Sequence, residues 1–433
     1  MIGLPSRRLT GETMPSPSHR ALSLPSTLAV ILALWGCDST EREPTKNTGE
    51  ETDTGTAVDD LPPADEGGSG TTDDTGSDDG SGSGSGSGGD TSGGSGDGSG
   101  GGDDSSGGGD DGETADPCPA DMVCVESFPF EETNTTTRAA RDDFNSYACA
   151  PSTNESGPEV VYRVDLAEDG FLAVDLPDMD SGADIDVHIL GSLDPDDCFD
   201  RGHWRSGAWL PAGRYYVVAD TWVASSGAES DGGYTITLGH TSQSTLPTAR
   251  SAFAEAALQA FDIAWGLGDT DSFVYAMTDF SMHSSLEREW IVDLATGDLL
   301  FHIHTTHGEN SANARDPGVA EAFSNIPESH QSSLGMMKAA EIYTGSYGYS
   351  MRLDGLEAGY NDNVRSRAIV VHPWEYATAE TAAEYGMLGL SWGCPAIDER
   401  VSRQIINTTA NGSLYFFYYN DGDWSRNSDY MLP

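Results

Sequence analysis

Near the C-terminal end the chain reads Gly389-Leu390-Ser391-Trp392-Gly393-Cys394-Pro395-Ala396-Ile397, GLSWGCPAI. Cys394 stands between a glycine and a proline, a setting that favours a tight turn. The other five cysteines are Cys37, Cys118, Cys124, Cys149 and Cys198, so the nearest lies 196 positions away (394 − 198). Cys394 is therefore a buried spectator, half of a disulfide, or a nucleophile. Attack on a carbonyl needs thiolate, and an ordinary thiol has a pKa of ~8.5. A base must stand nearby. His372 is the candidate, at the end of the apolar run Ala368–His372, AIVVH, where a side chain can leave the core and enter a cleft. An imidazole there takes the thiol proton and returns it to a leaving amine. The developing oxyanion needs donors, and the backbone amides of Gly393 and Cys394 are candidates.

The chain of 433 residues carries 71 acidic and 21 basic side chains, a formal net charge of −50. Such a surface repels nucleic acid and anionic lipid, which excludes both as expected partners. Residues 38–117 hold 22 acidic against 2 basic residues, and the part after them 48 against 16, so the later part is acidic in its own right. At the start, Arg7, Arg8 and Arg20 precede a short apolar run interrupted by Pro25 and ending Leu34-Trp35-Gly36-Cys37. The run falls short of the ~20 apolar residues a membrane span needs and matches the export-signal template. Its end resembles a bacterial lipobox. Residues 1–37 are thus expected to be a lipoprotein signal peptide, with Cys37 lipidated and the rest of the chain facing the periplasm or cell envelope. Residues 38–117, rich in Gly, Ser, Asp and Thr, have almost no apolar surface to offset the entropy of ordering, so a tether is expected.

From Cys118 to residue 242 short alternating runs bounded by Gly, Pro, Asp or Ser predict an antiparallel β-sandwich: VVYRVDL, GFLAVDLPD, ADIDVHIL, GRYYVVADTW and GGYTITL. Their order resembles the bacterial pre-peptidase C-terminal domain, which implies an accessory module. Asp184, Asp186 and Asp220 are candidates for a cation such as calcium, although solvated aspartates at strand ends are the blander and favoured reading, since no EF-hand-like spacing is present. In an oxidising compartment the four cysteines of this region pair. We pair Cys118 with Cys124 and Cys149 with Cys198, other pairings of the four remaining open. Cys394 is left over from that scheme.

Residues 245–433 read as one mostly β region with a leading helix. SAFAEAALQAFDIAWGLG, from Ser251, puts Phe253, Ala257, Phe261 and Ala264 near one face, with Ser251 or Thr248 as its cap. REWIVDLATGDLLFHIHTTHG reads as a hairpin turning at Ala295–Asp298. Its end, FHIHTTHGE, raises a metal reading for His302, His304 and His307. No further cysteine or carboxylate has ligand spacing there, so no metal is assigned.

The stretches HGENSANA (His307–Ala314), AFSN (Ala322–Asn325), SSLG (Ser332–Gly335), YGYSMRLDGLEAGYNDN (Tyr347–Asn363), RAIVVH (Arg367–His372) and SWGCPAI (Ser391–Ile397) follow one another over some 130 residues. In that order they resemble the L,D-transpeptidase catalytic domain, in its larger secreted variant. The resemblance implies a mostly β fold and a cofactor-free enzyme. Such an enzyme attacks a peptidoglycan stem peptide ahead of its terminal D-Ala and passes the acyl group to an amine or to water. It assigns Cys394 as nucleophile, His372 as base, Gly393 and Cys394 as oxyanion donors and Ser391 to the active-site loop. His307, Arg352, Arg367 and Trp392 are expected at the substrate, the arginines through a stem-peptide carboxylate. Trp392 replaces a histidine frequent in the wider family, Pro373 a glycine and Leu390 an arginine. These departures leave the Cys–His pair intact and bear on substrate positioning. The rival readings are a hydrolase acting on the same wall peptides, and a non-catalytic peptidoglycan-binding lipoprotein.

Overall fold

The strand Gly170–Met179 reads GFLAVDLPDM, and the fold can be built from it. Successive side chains point to opposite faces. Leu172, Val174 and Leu176 join one apolar core, whereas Phe171 and Ala173 join another. The computed structural model describes residues 117–431 except 139. Lipidation at Cys37 and the tether lie outside the described residues.

The protein is mainly β. Two sheets form the first half. One runs Val123–Val125, Glu159–Leu166, Gly213–Thr221, Ile185–Leu190, Cys198–Gly202. The other runs Phe130–Thr136, Gly233–Ser242, Gly170–Met179, Arg205–Leu210. Inward residues of both, among them Tyr162, Val164, Val187, Val217, Ile236 and Leu238, make their shared core. Disulfides join Cys118 to Cys124 and Cys149 to Cys198.

The outer face of the second sheet is not solvated. The helix Ser251–Leu267 lies on it and buries Phe253, Ala254, Ala257, Leu258, Ala260, Phe261 and Ala264. Phe171 meets Phe261 edge-on at 5.0 Å, and the Trp209 amide donates to Asp262 at 2.8 Å. Simple apolar–polar alternation was the expectation for 170–179. The strand is apolar on both sides because both sides are covered. Close approach also fixes Gly239, where an added Cβ would sit 2.3 Å from the Leu294 carbonyl oxygen. The helix begins without the expected cap: Arg250 is the N-cap residue and makes no side-chain capping bond. It ends at Gly268, in the left-handed conformation that glycine adopts most easily.

The opposite face of the helix packs on an eight-stranded sheet. Its order is Asp298–Ile303, Glu289–Asp293, Val274–Asp279, Leu414–Tyr418, Gly335–Gly345, Gly348–Gly355, Val370–Trp374, Ala396–Asp398. The first two strands form the hairpin read from the sequence, with Gly297 at φ 75° in its turn. The last two are parallel and bring the two sequence motifs together, since His372 pairs with Ala396.

Candidate active site

That pairing places His372 beside the residue two positions after Cys394. His372 is 2% exposed. Its Nδ1 lies 3.0 Å from the Pro373 carbonyl oxygen, which can only accept, so Nδ1 carries the proton and Nε2 holds the lone pair. Burial pushes its pKa down to about 4, against a smaller upward pull from the Pro373 carbonyl. The imidazole is therefore neutral near pH 7. Tyr347, from the turn between strands Gly335–Gly345 and Gly348–Gly355, stacks on it with centroids 4.2 Å apart.

The loop carrying Cys394 is pinned by hydroxyls. Ser391 Oγ donates to the Cys394 carbonyl at 2.7 Å and accepts from the Gly393 amide at 3.1 Å. Thr306 Oγ1 donates to the same carbonyl at 3.1 Å and accepts from the Ala396 amide at 3.0 Å. Ser332 Oγ donates to the Gly393 carbonyl at 3.4 Å and accepts from Gly308 N at 3.1 Å. Gly393 sits at φ 111°, and an added Cβ would lie 2.6 Å from the Gln331 carbonyl oxygen. Only glycine fits both conditions. The Gly393 amide, one of the two oxyanion donors expected from the sequence, donates to Ser391 Oγ in this structure. Cys394 is fully buried, with Sγ 3.5 Å from the Ala368 carbonyl oxygen.

The remaining expected residues fall in different places. His307 is wholly buried. Arg288 Nη2 donates to its Nδ1 at 2.8 Å, and its Nε2–H donates to the Pro317 carbonyl at 3.1 Å. Burial and the Arg288 charge hold its pKa well below the usual value. Its ring is a bracket for the loop, and both nitrogens are in use. His302 Nε2 meets the Glu287 carbonyl at 3.2 Å and His304 Nε2 that of Ser285 at 3.1 Å, each satisfied locally. Arg367 ties the 324–333 loop together, donating to the carbonyls of Ser324 and Gln331, both at 2.6 Å, and to the hydroxyls of Ser333 and Ser329. Arg352 pairs with Glu341 at 3.2 Å and covers the Tyr343 ring. Trp392 stacks on His330, centroids 4.1 Å apart, and its buried indole nitrogen has no hydrogen-bond partner. Thr306 carries no signal in the sequence that marks it as a support of the site, and Tyr347, although it opens one of the motifs, none that sets its ring against His372. Their role comes from contacts made across the fold.

A family model described as the L,D-transpeptidase catalytic domain matches residues 247–418. Comparison with curated proteins gives no match. Among solved structures, a periplasmic inhibitor of g-type lysozyme from Aeromonas hydrophila is 11% identical and covers 28% of this chain and 96% of its own, with a TM-score of 0.20. The avibactam carbamoyl form of the enzyme Ldtfm is 11% identical over 39% of this chain and 64% of its own, TM-score 0.22. A Paenibacillus sp. cycloisomaltooligosaccharide glucanotransferase bound to cycloisomaltoheptaose is 12% identical over 53% and 44%, TM-score 0.18. Likeness at these scores carries no argument about what this chain does.

Proposed function

We propose that the chain is an exported, peptidoglycan-modifying cysteine enzyme, an L,D-transpeptidase or L,D-carboxypeptidase. In this reading lipidated Cys37 anchors it in the cell envelope, residues 38–117 tether it, 118–242 are an accessory module and 245–433 carry the chemistry. The observation that carries the reading is the parallel pairing of Val370–Trp374 with Ala396–Asp398, inside the stretch matched by the transpeptidase family.

In the reaction His372 Nε2 takes the Cys394 proton. The thiolate attacks the carbonyl ahead of the terminal D-Ala, with the Cys394 amide facing the oxyanion. The C–N bond breaks, the protonated His372 gives its proton to the departing amine, and a thioester remains. An amine or a water then attacks the thioester as His372 Nε2 takes its proton, the C–S bond breaks, and the proton returns to the departing Cys394 sulfur. Because Nδ1–H is held by Pro373 O, the lone pair is kept on Nε2.

This chemistry requires Cys394 as a thiol, so the test includes a reductant. The full chain and its Cys394→Ala variant are incubated with disaccharide-tetrapeptide and dithiothreitol, and products are read by mass spectrometry. Cross-linked dimers made only by the wild type establish transpeptidation, and tripeptide alone a carboxypeptidase. A folded, reduced protein that does neither with several stem peptides overturns the proposal. That outcome moves the reading to a non-catalytic wall-binding protein, which the burial of Cys394 favours.

A further inference from the structure

A second polar cluster lies in the sandwich, unconnected with Cys394. Asp184 and Asp186 flank Ile185 at the start of its strand, and His203 comes from the turn between strands Cys198–Gly202 and Arg205–Leu210. His203 Nδ1 lies 3.1 Å from Asp184 Oδ1 and 3.0 Å from Asp186 Oδ1. The other Asp186 oxygen is bonded by Arg201. Behind them stands Glu155, fully buried, its carboxyl facing that of Asp186. Neither Glu155 oxygen has a hydrogen-bond partner, and neither does the nearby His188 Nε2, 4.0 Å away. Arg201 Nη2 is 3.6 Å from Glu155. Asp220, grouped with the two aspartates in the sequence reading, is engaged elsewhere: it accepts from Tyr147 Oη at 2.5 Å and from Thr221 N at 2.7 Å.

Asp186 and Glu155 thus share one guanidinium, and Asp184 and Asp186 share one imidazole. Buried like charges are costly unless a proton or a cation lies among them. The donor set of one imidazole nitrogen and two carboxylate oxygens decides between cations. Calcium takes six to eight oxygens, whereas imidazole with carboxylate suits zinc and its neighbours. At metal–ligand bonds of ~2.0–2.1 Å, tetrahedral neighbours sit about 3.3 Å apart. The two His203 separations are close to that, and one ligand atom from each residue lies within 4.8 Å of the others. His203 also lines an open groove of about 750 Å³ shared with Asp175, Trp204, Arg205 and Asp271, which gives an entry path and room for water on the metal.

We propose that Asp184, Asp186 and His203 bind a divalent transition-metal ion of the zinc class, with Glu155 as buried countercharge and Arg201 orienting Asp186. The test uses the full chain, dialysed against chelator, with zinc alone titrated against a chromophoric competitor. One equivalent should bind, His203→Ala and Asp184→Asn should each weaken it by more than tenfold, and Glu155→Gln by roughly tenfold. Zinc should raise the thermal midpoint of the wild type and not of the first two variants, and calcium at the same concentration should do neither. Circular dichroism checks folding, and His203→Asn replaces the alanine variant if that one unfolds. Absence of a bound equivalent in the wild type overturns the proposal, as does equally tight binding by the folded His203 and Asp184 variants.

Discussion

Around Cys394, Thr306, Ser332 and Ser391 each both donate and accept within hydrogen-bond range, and the groups they hold are backbone. In the sandwich, Glu155 and His188 are as deeply buried, but two oxygens and a nitrogen of theirs lie beyond hydrogen-bond range of the ionic partners they face. Both arrangements bury polar atoms at a cost. The first recovers it by fixing a loop in one conformation. The second leaves its carboxyls dependent on a proton or a cation. A saturated network holds geometry, and an unsaturated one responds to its surroundings.

The comparison can be broken at several points. The largest effect is expected at the proposed catalytic pair: Cys394→Ala should reduce the proposed acyl transfer to background. His372→Asn should lower it by ~10²–10⁴-fold, as followed by release of D-Ala. Removing the Cys149–Cys198 disulfide with paired alanines should cost about 2–5 kcal/mol in urea unfolding. If stability is unchanged, the sandwich does not rely on that link. Thr306→Val takes away a donor and an acceptor at once and should cost about 1–3 kcal/mol, with kcat falling more than KM rises. A Thr306→Ser variant should restore most of both.

The smallest effect is in pH, where the two regions oppose each other. His372, at about 4 when folded, binds its proton sooner in the unfolded chain, so stability is lost as pH falls from about 6.5 towards 4. Burial raises Asp220 to about 8, so its proton is held longer in the folded chain, and stability is lost as pH rises from about 4 to 8. Between about pH 4 and 6.5 the two slopes cancel, and above that only the Asp220 loss remains, so the thermal midpoint should stay level over the first window and fall from about 6.5 to 8. His372→Asn should let the fall begin already near pH 4, and Asp220→Asn should abolish the alkaline fall and leave a rise from about 4 to 6.5. A profile unmoved by either variant would show that these groups are not the source.

Much of the fold was legible because it is periodic. Alternation marked the strand Gly233–Ser242, helical spacing placed Phe253, Ala257, Phe261 and Ala264 on a buried face, and Gly297 marked the hairpin turn. Periodicity says which face is apolar but not what covers it, so the second buried side of Gly170–Met179 was missed. The site divides in the same way. Cys394 and His372 stand out by residue type and setting. Thr306 does not, because its bond to the Cys394 carbonyl spans 88 positions. The use of the Gly393 amide by Ser391 likewise depends on a turn geometry that a string of letters does not contain.

Because Phe171 and Ala173 of the sandwich share a core with Phe261 and with the eight-stranded sheet, the chain has no clean seam near residue 245. Leu246 and Ala249, in the connecting segment, are buried in that same core. Cutting there would give two pieces with matching greasy scars, the helix on one and the outer sheet face on the other. Anyone shuffling the eight-stranded sheet onto another partner would have to carry the sandwich along or repaint both surfaces. The two are transferable together as one cassette.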